Sequence, residues 1–326
     1  MSVSDEFETL HYKLLPAEGA KRKAAQHADY VSRLLTNDEY RRPIKILQSG
    51  SFAKHTHIDP LGDLDLAVHY RLEDWATSRG LPPNPGHIIG AIKGRMEQAL
   101  GHTAVVRAQR RSVGIVYANV KIDIVPALVE DTNTFDAIIP DRTTKKWVHT
   151  NIQRHIDFIK GQDRSYRPIA KTIRLMKAWK RAKAVRFPGF ALELITVKAL
   201  EQAGTSASLQ NCVFRVFDYI NTGQLKRQVA FNANYRIRDI DVSGEAPVVI
   251  VDPVNAANNV AEEVTHAQRD SFLGKAALDW RNSRLAIEAE QRGDNPLALR
   301  HWRAVFKDQF ASAPRRAKTF LERLFS

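Results

Sequence analysis

The chain reads as an α+β protein, a small mixed sheet-and-helix unit followed by a larger helical region. Three observations predict this. Apolar residues alternate with a period of two in Leu64-Asp-Leu-Ala-Val68 and again in Val120-Lys-Ile-Asp-Ile124. After Pro140 the apolar period turns helical, with one strand-like interruption at Val248-Val-Ile-Val251. Gly and Pro punctuate that second region at Gly161, Pro168, Pro188-Gly189 and Gly204. The division falls near residue 148. Residues 1–148 form the core unit, with an N-terminal helix, and 149–326 form a helical domain that closes a cleft against it.

In chain order, residues 8–36 have helical periodicity, and Pro16 opens the second part of that helix. Strands are predicted over 44–48 and 63–70. The Pro-rich loop Leu81-Pro-Pro-Asn-Pro-Gly86 then leads into a helix over 87–100. Residues 103–117 and 119–128 read as two further strands, paired through a turn near Ala118-Asn119. Helices follow over 149–161, 168–184, 189–203 and 207–221. Three more cover roughly 260–292, 295–311 and 314–325.

Composition narrows the class. At 326 residues and 44% hydrophobic content the chain can bury real cores. No apolar run reaches the roughly 18 residues that a membrane helix needs, and the acidic N-terminus lacks an apolar signal core. A single cysteine, Cys212, cannot pair internally and sits in an apolar run. Together these predict a cytoplasmic protein with no membrane partner. The charge of +13 favours polyanions such as nucleotides or nucleic acid. The basic pairs are scattered, however, and do not decide whether nucleic acid binds.

The chemistry is concentrated in three aspartates. Asp63 and Asp65 lie two apart in a strand and share a face, while Leu64, Leu66 and Val68 point to the core. Asp123 shares a face with Lys121 and Val125 in the strand around Val120–Pro126. If the two strands are neighbours, the acids converge. Three unpaired carboxylates repel one another, so the cluster calls for cations, and two magnesium ions with a triphosphate fit it, manganese being a substitute. Gly50-Ser51, before these acids, is a small-residue turn where a triphosphate can rest on backbone N–H groups and a hydroxyl, with Thr56 as a further donor. Lys54, His55 and His57 share that loop, as helpers or as exposed residues. A basic stripe, Lys171, Arg174, Lys177 and Arg181, runs along the helix after Pro168. It is either a solvated face or a source of charge for the phosphates. The implied reaction is attack of a ribose hydroxyl on the α-phosphorus of a nucleoside triphosphate, releasing pyrophosphate. Asp63 and Asp65 would hold both ions, with Asp123 at the ion nearer the nucleophile.

Gly50-Ser51 with Asp63-x-Asp65 and Asp123 resembles the signature of the polymerase-β-like nucleotidyltransferases. Val120-Lys-Ile-Asp-Ile-Val-Pro-Ala127 is similar to the third-acid strand of oligoadenylate synthases and their bacterial relatives. Arg174-Leu-Met-Lys-Ala-Trp179 resembles the helix whose lysine, here Lys177, contacts nucleotide phosphates in that group. Phe190–Val197 resembles the following core helix. Val249–Val260, with Asp252-Pro253 and Asn258-Asn259, resembles a late segment beside the nucleotide pocket, which implies a nucleotide contact for Asn259. These matches span about residues 44–262 and together resemble the bacterial CD-NTases. The resemblance implies a polymerase-β-like core followed by an oligoadenylate-synthase-like helical domain. It also implies synthesis of a cyclic di- or trinucleotide from ribonucleoside triphosphates, ATP among them, in antiphage (CBASS) signalling with a product-sensing effector protein. The segment departs from the family at Asn255-Ala-Ala, where a proline-containing stretch is usual, and the lone cysteine rules out a Cys-rich zinc insertion. A linear oligoadenylate synthase, an RNA 3′-end nucleotidyltransferase and, in another class, a non-catalytic nucleic-acid sensor remain open. Nucleotidylation of a small molecule or protein is disfavoured by the helical half.

Overall fold

The computed structural model describes residues 2–310, apart from 39–40, 118–119, 164–167, 203–207, 224, 233 and 243–244. The helix expected over 8–36 is two helices, α1 (Val3–Lys13) and α2 (Glu18–Thr36), separated around Pro16. The first starts earlier than expected because Ser2 and Asp5 form a capping box, each side chain accepting from the other's backbone N–H.

A seven-stranded mixed sheet forms the first half. Its strands are β1 (Lys45–Ser49), β2 (Asp63–Arg71), β3 (Ala104–Ala108), β4 (Val113–Tyr117), β5 (Val120–Asp131), β6 (Asp136–Asp141) and β7 (Lys146–Thr150). The main path runs β1-β2-β5-β4-β3, with β6 and β7 continuing from β5. Only β2 and β5 pair in parallel, from Asp63–Lys121 to Arg71–Val129. Along its other edge β5 pairs with β4 up to Ile124 and with β6 from Leu128, so Pro126, which has no N–H, falls in the gap. The single strand expected over 103–117 is two, β3 and β4. They are folded back by Gln109–Ser112, where Gln109 N–H donates to the Ser112 carbonyl at 2.9 Å. The turn expected near Ala118-Asn119 lies outside the described residues. Strands β6 and β7 were not expected, and residues 149–150 end β7 rather than starting a helix. Pro140 stands in β6 past Leu128–Ile138, the last β5–β6 pair in that direction, with Trp147 of β7 as its register partner, so only one side of the strand is paired there.

One-turn α3 (Gly50–Ala53) follows β1, and α4 (Pro85–Leu100) begins with its proline in the first turn, under the Asn84 cap. The sheet core takes Ala24, Ala28, Val31 and Leu35 from α2 and Ile88, Ile89, Ile92 and Met96 from α4. Both sets meet Leu64, Leu66, Val68, Ile122 and Ile124. Each fully buried Leu or Ile contributes about 1.5–3 kcal/mol, so the strand faces opposite the acids are held firmly.

The second half comprises α5 (Ile152–Gln162), α6 (Ile169–Ala182), α7 (Gly189–Gln202), α8 (Leu209–Gly223), α9 (His266–Gln291) and α10 (Asn295–Phe306). A short hairpin, β8 (Val251–Asp252) and β9 (Asn255–Asn259), comes before α9. Helix α1 packs in this second core: the Phe7 ring meets Trp302 edge-on at 4.8 Å and Phe310 at 5.2 Å. The chain's first helix therefore ties to the helical half, while α2 belongs to the sheet. The helix expected over 314–325 lies outside the described residues.

Candidate active site

The sheet register sets the acids. Asp65 on β2 is the direct partner of Asp123 on β5 and, on its other side, of Ser49 on β1. Asp63, two residues earlier, pairs with Lys121. The acids share one face because their neighbours Leu64, Leu66, Ile122 and Ile124 are buried on the other. Gly50 follows directly, with φ +60, and a Cβ there would lie 1.7 Å from Asp65 Oδ2. Glycine is required twice over, for the left-handed backbone and for the carboxylate pressed against it. Ser51 is half-buried on α3, its carbonyl accepting from Thr56 N–H at 2.9 Å.

Charge at this point is out of balance. Burial, then Asp123 and Asp63, push the Asp65 carboxyl up to about 6. Burial likewise raises Asp123, with Lys121 and its hydrogen bond opposing. Lys121 stands between the other two acids, its ammonium 2.5 Å from Asp63 Oδ2 and 3.3 Å from Asp123 Oδ2. The second oxygen, Asp123 Oδ1, accepts from Gln109 Nε2 at 2.9 Å, and Ser112 Oγ donates to Gln109 Oε1 at 2.9 Å. A Cβ at Gly114 would lie 2.3 Å from Gln109 Nε2, so that glycine makes room for the clamp. Among the described residues no three Asp, Glu, His or Cys side chains form a ready-made ion-binding group. Asp65 and Asp123 are brought side by side, while Asp63 is turned onto Lys121. The donor set still fits hard divalent cations: three carboxylates facing one side, with burial and mutual repulsion making the Asp65 carboxylate costly to keep ionised without a nearby positive charge.

Behind the site lies a buried junction between the two halves. Glu193, in the first turns of α7 and 2% exposed, pairs with Lys54 Nζ at 2.6 Å and Lys177 Nζ at 2.6 Å. It also accepts from Thr56 Oγ1 at 2.7 Å. Burial alone would raise Glu193, but Lys54 and Lys177 outweigh it and hold the carboxyl at about 2. Thr56 is wholly buried, with its hydroxyl donating to Glu193 and lying 3.1 Å from Lys177 Nζ. Lys177 also donates to the Thr56 carbonyl at 2.9 Å. Both predicted nucleotide contacts, Thr56 and Lys177, are thus engaged inside the protein. The rest of the basic stripe docks the loop and α1 in the same way. Lys171 meets Glu8 at 3.0 Å, Arg174 donates to His11 Nε2 at 2.7 Å and to the His55 carbonyl at 2.6 Å, and Arg181 donates to the Asp59 carbonyl. His57 is half-buried and stacked on Phe52.

A cleft of about 370 Å³ opens between the halves, lined among others by Gly50, Lys54, Asp65, His155, Phe190, Asp252 and Asn258. The Lys54 ammonium lies 4.2 Å over the Phe190 ring, and His155 meets that ring edge-on. His155 Nε2 donates to Asp252 Oδ1 at 2.6 Å, and Asn258 Nδ2 donates to Asp252 Oδ2 at 2.9 Å. Asn259 is turned inward. Its amide donates to the Val248 carbonyl at 2.9 Å and its Oδ1 accepts from the Ile250 and Ala261 N–H groups at 3.0 Å. The alternation along β9 therefore gives the cleft Asn258 rather than Asn259. At the mouth Arg110 and Arg111 converge on Asp141 and reach Glu262 from the helical half, and Arg110 also pairs with Glu263. Sequence reasoning missed Glu193, Gln109, Phe190 and His155. Only Glu193 carried a sequence signal, as a lone acid inside the apolar run Ala191-Leu-Glu-Leu-Ile195.

Over most of its length the chain is similar to known proteins. The chain is 27% identical over 277 residues to the cyclic AMP-AMP-AMP synthase of Escherichia coli (strain MS 115-1), covering 82% of this chain and 83% of that one. It is 26% identical over 304 residues to the CBASS oligonucleotide cyclase CdnC of Escherichia coli (strain KTE188), covering 89% and 92%. The solved structure of E. coli MS115-1 CdnC with ATP superposes with a TM-score of 0.79 at 23% identity, covering 96% of this chain and 99% of that one. That likeness shows a shared fold over nearly the whole chain. Residues 1–163 match the model of the Second Messenger Oligonucleotide or Dinucleotide Synthetase domain, half of the chain, and the protein belongs to that family.

Proposed function

We propose that this protein is a nucleotidyltransferase that joins ribonucleoside triphosphates, ATP among them, into a cyclic di- or trinucleotide second messenger of CBASS signalling, releasing pyrophosphate. The observation that carries the reading is Asp65, seated against Gly50 in the lining of a cleft between the two halves, with Asp123 as its direct register partner. Family membership and relatives named as cyclic oligonucleotide synthases support it. Such a messenger requires an effector protein that senses it.

In the reaction a ribose hydroxyl oxygen bonds to the α-phosphorus of a second nucleotide. The bond from that phosphorus to the oxygen bridging to the β-phosphorus breaks, and pyrophosphate leaves with the electron pair. Asp123 takes the hydroxyl proton; burial raises its carboxyl, which makes it a stronger base than a solvated aspartate. Asp63, Asp65 and Asp123 would hold two magnesium ions, or manganese in their place, which when bound supply charge neutralisation and activate the hydroxyl. Gly50 lets backbone come close to the phosphates, and the Ser51 hydroxyl donates to them. Lys54, held in place by Glu193, adds positive charge at the wall, and the Phe190 ring offers a flat face for a base.

The test is incubation of purified protein with magnesium or manganese and all four labelled ribonucleoside triphosphates, with phosphatase treatment and mass analysis. A phosphatase-resistant product of cyclic mass, absent with Asp65→Asn, supports the reading. A ladder of linear products moves it to an oligoadenylate synthase.

A further inference from the structure

Lys121 has no place in the reaction as set out, yet it sits at the centre of the acids. It is the register partner of Asp63 across the parallel β2–β5 pair and shares a strand face with Asp123. Its ammonium reaches Asp63 Oδ2 at 2.5 Å and Asp123 Oδ2 at 3.3 Å. Asp123 Oδ1 is taken by Gln109, so the oxygens left to receive a cation are the two that Lys121 now contacts, the other oxygen of Asp63 and those of Asp65. Among the described residues Lys121 is the one basic group within ion-pair distance of any of the three acids. Its side chain is 35% exposed and that of Asp63 is 43% exposed, so the ammonium can swing into solvent on its four-carbon stem without disturbing the core.

An ammonium and a divalent cation compete for the same carboxylate oxygens, and they repel each other if both try to stay. We propose that Lys121 is a resident counter-cation: it fills the ion position between Asp63 and Asp123 in the metal-free protein and must be displaced when a divalent cation binds there. This rests on the reading of the three aspartates as metal ligands. The lysine keeps the site charge-compensated while empty and weakens its hold on a bare ion. A nucleotide then favours metal entry by bringing phosphate oxygens as additional ligands.

The test measures Mn²⁺ binding to nucleotide-free protein by electron paramagnetic resonance, for wild type, Lys121→Met, Lys121→Gln, Lys121→Arg and Asp65→Asn, with thermal melts in chelator as the check on folding. Removing one unit of positive charge beside the ion should tighten Mn²⁺ binding by about tenfold or more in the Met and Gln variants. The Met variant should also gain more in melting temperature from added Mn²⁺ than wild type does, and Lys121→Arg should bind as wild type. Equal or weaker Mn²⁺ binding by folded Met and Gln variants, with Asp65→Asn abolishing binding, overturns the counter-cation while leaving the metal site standing. Unchanged binding in Asp65→Asn overturns the metal site and this inference with it.

Discussion

Gly50 and Asp65 are in such close approach that a methyl group on the glycine would occupy the carboxylate oxygen's own space, 1.7 Å away. Gly50→Ala must either move β1 or expel Asp65 from its place beside Asp123. The positive φ adds strain on the order of 1 kcal/mol. Because a misplacement of about 1 Å can cost 10²-fold in rate, the variant should fold, melt slightly lower and lose at least about 100-fold in nucleotide turnover. Circular dichroism beside the product assay checks this; an active Gly50→Ala would show that the carboxylate does not need its present seat.

Asp65 opposes stability in the metal-free protein. Its folded value of about 6 lies above the ordinary 3.8, so the folded state binds more protons than the unfolded one between those two values. The stability penalty is absent below about pH 4, grows as pH rises through that window and is complete above about pH 6. Asp65→Asn should therefore be more stable than wild type at pH 8 in chelator, by on the order of 2–3 kcal/mol, and equal to it near pH 4. Product formation should fall by at least about 10³-fold. Denaturant melts at the two pH values separate this from a neutral substitution, for which the curves would stay parallel.

Glu193 is the one acid between two buried lysines. Glu193→Gln leaves Lys54 and Lys177 without a charge partner, a change that costs about 3–5 kcal/mol for a buried pair. Urea unfolding should show that loss. Where the variant survives, the KM for nucleotide should rise, because Lys54 is no longer held at the cleft wall.

Asn258 and Asn259 separate binding from structure. Asn258→Ala opens a gap in the cleft beside Asp252 and should raise KM with little change in melting temperature. Asn259→Ala removes three hydrogen bonds that tie β9 to residues 248–261, and should lower stability by about 1–3 kcal/mol with KM nearly unchanged. The reverse pattern would return Asn259 to the nucleotide.

Where local pattern and tertiary role coincide, the sequence is easily read. Strands β2 and β5 alternate because one face is buried, so the sequence shows Asp63 and Asp65 on one strand face and Asp123 on the polar face of another. The Asp65–Asp123 register comes only with the parallel pairing. The helices of the second half carry period and punctuation together. The failures share a physical cause. Nothing in Gln109-Arg-Arg-Ser112 looks like a hairpin turn, so β3 and β4 merged into one strand. The sequence after Pro140 reads as helical, so β6 and β7 were hidden, although Pro140 itself stands in β6 past the last β5–β6 pair and in register with Trp147 of β7. Thr56 and Lys177 read from the sequence as donors to a ligand; in the structure both contact Glu193, 137 and 16 residues away in sequence, and no local spacing shows such a contact. Lys121 was visible as a neighbour of Asp123 on its strand face, but its contact with Asp63 depends on the parallel register.

The parallel pairing of β2 with β5 also governs when this chain can become active. Asp65 and Asp123 belong to strands joined only through α4, β3 and β4, so one acid is made long before the other and neither has a partner until the crossover closes. Parallel pairings between distant segments form slowly, because the loop must close before the contacts reward it. A nascent or partly unraveled chain therefore holds the acids apart and has no means to begin a signal. In a chain of the second-messenger synthetase family, that ties the assembly of the acids to completed folding.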